Sequence, residues 1–462
     1  MSKKSLLIIL SMLLLVMIGV LFLLPPRPTP LAAAPEASTE VLLTQATETE
    51  TTSPTETEES TAPPTTIPPE TEPQIQKTSV TLSAIGDILL HDAVLKTCYD
   101  SSFDTYDFSS LFTYVTDHLQ AADCAVVNFE TTLAGSAYKI GGFPRFNSPD
   151  TILDGLKNAG IDLLLTSNNH AYDTSSTGLS RTIEKIEESQ LRYLGTKKSA
   201  DEANYMVLDL NGIRLGLACY TYEAGSTSSV KGINAITMKR ADAPLINSFN
   251  PNRLASFYEE TAQTISLMQA VNVDAIIYFM HWGTEYSMAV NSYQKEVAQK
   301  LCDLGVDVII GGHPHVVQPA DLLTSTVDEN HKMVVLYSMG NAVSNQRSGY
   351  TKVPTAHTED GVMFRVTFSR YEDGTVILES AESLPIWVNM DKNPNSGKKE
   401  YNILPLDKSI EDWKATFDLT DATLANALAS YDRTMELVGE GMAKIDAYLS
   451  ARVTETEQNL TP

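Results

Sequence analysis

The chain has 462 residues, 43% of them hydrophobic, enough for two or three domains with a large buried core. Acidic residues outnumber basic ones 58 to 33, a formal charge of −25, which argues against nucleic acid or any polyanion held by diffuse positive charge. An anionic substrate would need a local cationic focus, such as a metal centre.

Lys3 and Lys4 precede Ser5 to Leu24, an uncharged run of 20 residues that is long enough to cross a hydrocarbon core as a helix. The expectation is a single-pass anchor over residues 1–24 in the cell membrane, with the amino terminus cytoplasmic and everything after Leu24 extracytoplasmic. A cleaved signal peptide is the rival; Ala32-Ala33-Ala34 offers small residues, but it lies well beyond the run, which is longer than a usual signal core. Residues 25–77 turn to threonine, proline and glutamate, with 11 of the 22 prolines. Such a segment cannot bury enough surface to offset its chain entropy, so a disordered tether is expected. Lys3 and Lys4 give the first segment +2, and nine glutamates against Arg27 and Lys77 give the second −7, which leaves −20 for residues 78–462.

From Val80 onward apolar runs alternate with amphipathic stretches. Val80–Ile85, Cys124–Phe129, Asp162–Leu165, Tyr205–Leu210, Ile213–Cys219, Ala275–Met280, Val306–Ile310 and Met333–Tyr337 read as strands. Ser109–Gln120, Pro149–Ala159, Ser175–Gln190, Ala255–Ala270 and Ser292–Leu304 read as helices. The alternation predicts an α/β domain over residues 78–390 with helices on the sheet faces. Asn211-Gly212 predicts a hairpin, so the sheet is mixed, and Val362–Ser369 with Thr375–Glu379 predicts another. After Pro394 the pattern reads as helical, notably Glu411–Phe417 and Asp421–Leu449, and residues 391–462 are expected to form an appendage. Cys98, Cys124, Cys219 and Cys302 lack metal-type spacing and read as small buried side chains.

Ligand-type residues recur just beyond the strands: Asp87 after the first, with His91 behind it, Glu130 after the second, Asn169 and His170 after the third, His281 after Met280, and His313 and His315 after Ile310. In open α/β sheets, residues at the carboxyl ends of strands converge although remote in sequence. Five of the eight histidines lie in these motifs. Carboxylate, amide oxygen and imidazole without thiolate suit divalent Mn, Fe, Zn or Co, and there are ligands enough for two ions. Two such ions about 3.5–4 Å apart activate a nucleophile at neutral pH and clamp a phosphoryl or carbonyl oxygen.

The ordered motifs GDILLHD, NFETTL, SNNHAYD, HWGTEY, GGHPHVVQP and YSMGNAVSNQ, over about Val80 to Ile386, resemble the CapA family of poly-gamma-glutamate capsule synthesis proteins. The resemblance implies a calcineurin-like metallophosphatase fold: a mixed-sheet sandwich with flanking helices. It implies Asp87 as a metal ligand, Glu130 where many metallophosphatases have a bridging aspartate, and Asn169 as a ligand to the second ion. His281, His313 and His315 complete the set. His170 is left to protonate a leaving group or bind substrate, with Asp173 as its orienting partner. His91 departs from the pattern, standing four residues after the aspartate rather than two. Arg145 is a candidate anion contact, Glu285 an acceptor for a ligating histidine, and Asn341 a site-lining residue. Trp282 and Tyr286 read as either a substrate wall or core.

The expected function is synthesis, export or processing of an anionic envelope polymer, with polymer synthase or export proteins as partners. An external phosphoesterase unrelated to capsule, and a non-catalytic module whose metal shapes a polymer-binding surface, stand beside it.

Overall fold

The structure, a computed structural model, describes residues 76–227, 229–349, 355–392, 397–407 and 410–460. The anchor expected at residues 5–24 and all but the end of the tether lie outside these residues. Among the described residues no helix is long and apolar enough to cross a membrane.

The first sheet begins with β1 (Lys77–Ile88). After it come α1 (Asp92–Cys98), α2 (Ser109–Phe112), α3 (Thr116–Gln120), β2 (Cys124–Phe129), α4 (Ile152–Asn158), β3 (Leu163–Leu165), α5 (Ser175–Glu188) and β4 (Arg192–Leu194). The chain then builds a second sheet from β5 (Tyr205–Leu210), β6 (Ile213–Tyr222), β7 (Ala275–His281), β8 (Val308–Gly312), β9 (Val317–Thr324) and β10 (Lys332–Met339), with α6 (Leu254–Ala270) and α7 (Ser292–Asp303) between β6 and β8. It returns to the first sheet with β11 (Asn341–Val343), β12 (Asp360–Tyr371), β13 (Val376–Lys392) and β14 (Lys399–Pro405), then ends in α8 (Ile410–Thr416) and α9 (Asp421–Leu460).

The first sheet runs β14-β13-β12-β1-β2-β3-β4, with β11 beside the end of β1. The second runs β6-β7-β8-β10-β9, with β5 on β6. Strands β1 to β4 are parallel, as are β6, β7, β8 and β10; β5, β9, β12, β13 and β14 pair antiparallel with their neighbours. The Asn211-Gly212 hairpin forms as predicted, both residues at positive φ (50° and 87°), which two-residue turns of this kind require.

Successive side chains of a strand face opposite ways, and here both faces are covered. Val80, Leu82 and Ala84 of β1, Val126 of β2, Ile277 and Phe279 of β7 and Ile310 of β8 meet between the sheets. Ala125, Val127 and Phe129 of β2 pack outward with Phe112, Leu119 and Leu156. Ile276, Tyr278 and Met280 of β7 pack outward with Phe257, Met268, Val297 and Leu301 of α6 and α7. The result is a helix–sheet–sheet–helix sandwich, the mixed α/β architecture expected.

Two expectations about the carboxy-terminal region are corrected. Lys399–Pro405 is not helical; it pairs with β13 as the edge strand of the first sheet, so the boundary expected after residue 390 falls inside β13. Helix α9 is no appendage, because Val438, Met442, Ile445 and Leu449 enter the core between the sheets. Their spacing of four, three and four residues lines one helical face, and that face closes the open side of the sandwich. Buried Asp360 of β12 holds the helix through Arg433 (2.6 and 2.8 Å) and Ser430 (2.7 Å). The stretch read as one helix over 109–120 divides into α2 and α3.

Candidate metal centre

Strand register assembles the site. Asp87 lies opposite Asn128 of β2 and opposite Asn341 of β11, while His281 of β7 lies opposite Gly312 of β8. The β1 ladder shifts between Ile85 and Asp87, at Gly86, where a Cβ would stand 2.0 Å from the Gly340 carbonyl oxygen; the irregularity turns Asp87 toward the strand ends. Near the end of β8, Gly311 passes so close to the neighbouring strand that a Cβ would lie 1.9 Å from the Tyr337 oxygen. His313 and His315 then take positive φ (96° and 57°), a conformation costing a non-glycine residue about 1–3 kcal/mol, and it delivers both imidazoles to one place.

There Glu130 and His313 with His315 form one cluster, and Asp87 and Glu130 with His281 another; within each, one potential ligand atom per residue lies within 4.8 Å of the others. Glu130 belongs to both. All five are buried. Glu130 Oε2 accepts from Asn128 Nδ2 at 3.1 Å, whereas its Oε1 has no hydrogen-bond partner and faces Nε2 of His281, His170 and His315 at 3.7, 3.9 and 3.9 Å. His313 Nδ1 is likewise buried without a partner. Two orphaned buried atoms that can each offer a lone pair, where burial normally demands pairing, fit a divalent cation.

The electrostatics agree. Burial, then the carboxylates Asp87, Glu285 and Asp173, push the Glu130 carboxyl well above its ordinary range. Burial followed by the neighbouring imidazoles holds His281 and His313 well below theirs, so both are neutral and able to ligate.

Around this group the other predicted residues take distinct places. Asn169 Oδ1 is 2.7 Å from His281 Nε2, which brings its amide to the second cluster. His170 Nδ1 is 2.6 Å from Asp173 Oδ2, the orienting contact anticipated for it. His315 Nδ1 lies 3.0 Å from Asp87 Oδ2 and 3.2 Å from Asn341 Oδ1, and Asn341 Nδ2 donates to the His315 carbonyl, so Asn341 fixes that loop. His91 falls outside both clusters: its Nδ1 is 3.3 Å from the Leu89 oxygen and from the Asn345 amide, and its ring meets the edge of Phe146. Burial and the imidazoles of His315 and His170 lower it to about 4. Arg145 is exposed with no hydrogen bond or ion pair among the described residues. Glu285 is exposed at the rim, where its charge acts on Glu130 and Tyr286. Trp282 is core, donating to the Tyr337 oxygen at 2.9 Å, and Tyr286 stands by His315 with ring centroids 6.2 Å apart.

Several contributors were missed in the sequence. Asn128 donates to both Asp87 (2.7 Å) and Glu130; Asn168 donates to Asn128 Oδ1 (3.2 Å) and positions the His170 amide (3.1 Å). The signal for Asn128 was its polarity within the apolar run Cys124–Phe129. Asn234, at the tip of a two-stranded hairpin with φ 50°, donates to Asp173 Oδ1 at 3.1 Å and lies 3.3 Å from His170 Nδ1. Tyr222 packs on His313 with centroids 4.5 Å apart, and Phe146 meets His170 edge-on at 4.7 Å.

Residues 81–346 match the family model described as bacterial capsule synthesis protein PGA_cap, more than half of the chain. The chain belongs to that family. The match starts in β1 and ends after β11, so it includes every candidate ligand and stops short of β12, β13, β14 and α9. Among curated relatives, the capsule biosynthesis protein CapA of Bacillus anthracis is 26% identical over 69% of this chain and 72% of its own. The PGA biosynthesis protein CapA of Bacillus subtilis strain 168 is 25% identical over 74% of this chain and 82% of its own. Among solved structures, the calcineurin-like phosphoesterase YfkN of Bacillus subtilis aligns with 78% of this chain and 99% of its own at 15% identity and a TM-score of 0.38. Haemophilus influenzae NAD nucleotidase aligns with 83% and 61% at 12% identity and a TM-score of 0.40.

Proposed function

We propose that this member of the PGA_cap family is an extracytoplasmic, membrane-anchored hydrolase of an anionic envelope polymer, poly-gamma-glutamate or a phosphoester formed in its synthesis or export. The observation that carries the reading is Glu130, shared by two ligand clusters, with one oxygen left unpaired and facing three imidazoles. Asp87, Glu130, Asn169, His281, His313 and His315 would hold one or two divalent ions, which supply charge stabilisation and an activated nucleophile when bound. His170 then serves as the proton donor. Its Nδ1 is engaged by Asp173 Oδ2, and Asn234 steadies the same carboxylate, so Nε2 points to the Glu130 side of the pocket and can protonate a leaving oxygen or nitrogen. In a chain this acidic, such a centre is also the local cationic focus that an anionic substrate requires. The anchor rests on the uncharged run Ser5 to Leu24, and synthase or export proteins in the same membrane are its expected partners.

The test joins metal analysis of the purified full-length protein to a substrate panel of aryl phosphates and poly-gamma-glutamate. Hydrolysis is expected, and His170→Ala should lower it by about 10²–10⁴-fold while the metal content stays constant. A metal-loaded protein silent across the panel, in cells whose polymer export fails when it is deleted, would instead make it a metal-shaped binding module.

A further inference from the structure

A second polar cavity, of about 420 Å³, opens where β4, β6 and the amino end of α6 meet; small-molecule pockets run from about 300 to 1,000 Å³. Its wall carries Lys197, Lys231 and Arg253 together with Glu223 and Glu260. Lys197 is almost fully buried and donates to Asn204 Oδ1 at 2.5 Å, which leaves two of its N–H groups. Lys231 donates to the carbonyls of Ala243 (2.7 Å) and Ile246 (2.5 Å), leaving one. Glu260 Oε1 accepts from Asn204 (2.7 Å) and Tyr220 (3.0 Å), and its Oε2 has no hydrogen bond among the described residues. Asn247, 4% exposed, also lines the cavity, and its Oδ1 is buried with no partner.

These groups discriminate between ligand classes. A simple anion would meet Glu223 and Glu260, and a simple cation would meet three basic side chains. A zwitterion satisfies both sets. The five charged groups sum to +1, which complements one ammonium and two carboxylates. Burial lowers the Lys231 ammonium to about 8 against the opposing pull of Glu223 and Glu260, so it remains charged at neutral pH.

The cavity is joined to the candidate centre through its walls. Glu223 follows Tyr222, whose ring packs on His313, and the Asn247 carbonyl accepts from the hydroxyl of Ser167, which opens the Ser167–His170 loop (2.5 Å). We propose that this cavity binds an acidic α-amino acid, either free or as the amino end of a γ-glutamyl chain. The ligand class follows from the cavity's own charges; only its link to a capsule polymer rests on the proposed function.

Calorimetry on the full-length protein, stripped of metal with a chelator and dialysed, tests this without turnover and without chelation at the histidines. Glutamate should bind saturably, and glutarate, which lacks the ammonium, and 4-aminobutyrate, which lacks the α-carboxylate, should each bind at least about tenfold more weakly. Lys197→Met and Glu260→Gln should each weaken glutamate binding by about tenfold or more. The ligand series decides the matter even if a variant misfolds. γ-Glutamyl-glutamate binding as well as glutamate identifies a chain end, and glutamate alone identifies a free amino acid. Absence of saturation at millimolar glutamate, equal affinity for glutarate, or folded variants with unchanged affinity would overturn the proposal. Because the readout needs neither metal nor catalysis, a failed hydrolase assay leaves it standing, and its own failure leaves the metal centre untouched.

Discussion

Replacing Glu130 by glutamine tests the centre of the site with two effects of opposite sign. The side chain is fully buried, its Oε2 is held by Asn128, and its Oε1 is unpaired. Without metal at neutral pH, the native state must either bury that charge beside Asp87 or take up a proton that the unfolded chain does not, and both cost stability. Glutamine keeps the shape and the acceptor for Asn128 but carries no charge. Metal-free Glu130→Gln should therefore be more stable than metal-free wild type by about 1–3 kcal/mol, the cost of an unsatisfied buried polar group. The sign with pH follows from the raised carboxyl: the native state binds the extra proton, so the difference fades as pH falls into the ordinary carboxylate range, where Glu130 is protonated in both states. Added metal reverses the order. At a hundredfold excess over Kd, an ion bound only by the native state adds about 2.7 kcal/mol to the wild type, and the variant, lacking the ligand shared by both clusters, should gain little. Urea titrations of both proteins, with chelator and with manganese or zinc, read all four values, and elemental analysis reports the metal. A metal-free variant less stable than wild type, or equal stabilisation of the two proteins by metal, would refute the shared-ligand assignment.

His281 and His313 are held neutral by burial and by neighbouring imidazoles, so below about pH 6.5 the unfolded chain takes up protons that the native chain does not. In the Glu130→Gln background, which removes the opposing carboxylate, the metal-free protein should keep its stability above that pH and lose up to about 2.7 kcal/mol per pH unit below it, measured by urea midpoints. Ile445→Ala removes a fully buried side chain of α9 from the core between the sheets and should cost about 2–5 kcal/mol in the same titration; a change near zero would restore the helix to the status of an appendage. Gly311→Ala places a methyl 1.9 Å from the Tyr337 oxygen, so β8 must shift, at a cost of about 1–3 kcal/mol or more, and metal affinity should fall with stability because the His313-Pro314-His315 loop follows directly.

The candidate ligands were legible because each follows an apolar run that folds as a buried parallel strand, and the ends of such strands converge. Asn128 was not, since a single polar residue inside Cys124–Phe129 gains its meaning only from the register that sets it opposite Asp87. Asn234 reaches Asp173 from a hairpin about sixty residues away, and no local pattern marks that approach. His91 was grouped with the ligands by proximity in sequence, but it follows the end of β1 and turns toward Phe146 and Asn345. Lys399–Pro405 is short and mixed in polarity, and its partner β13 alone makes it a strand.

The amino-acid sequence by itself determined the alternation of strands and helices, the Asn211-Gly212 hairpin, the acidic charge and the candidate metal ligands, because these depend on composition and short-range periodicity. Only the tertiary structure decided that Glu130 is common to two clusters, that α9 completes the core, and that Lys197, Lys231, Glu223, Glu260 and Asn247 surround one cavity. Those facts depend on which strands pair and in what register, and that is settled by burial between chain segments hundreds of residues apart.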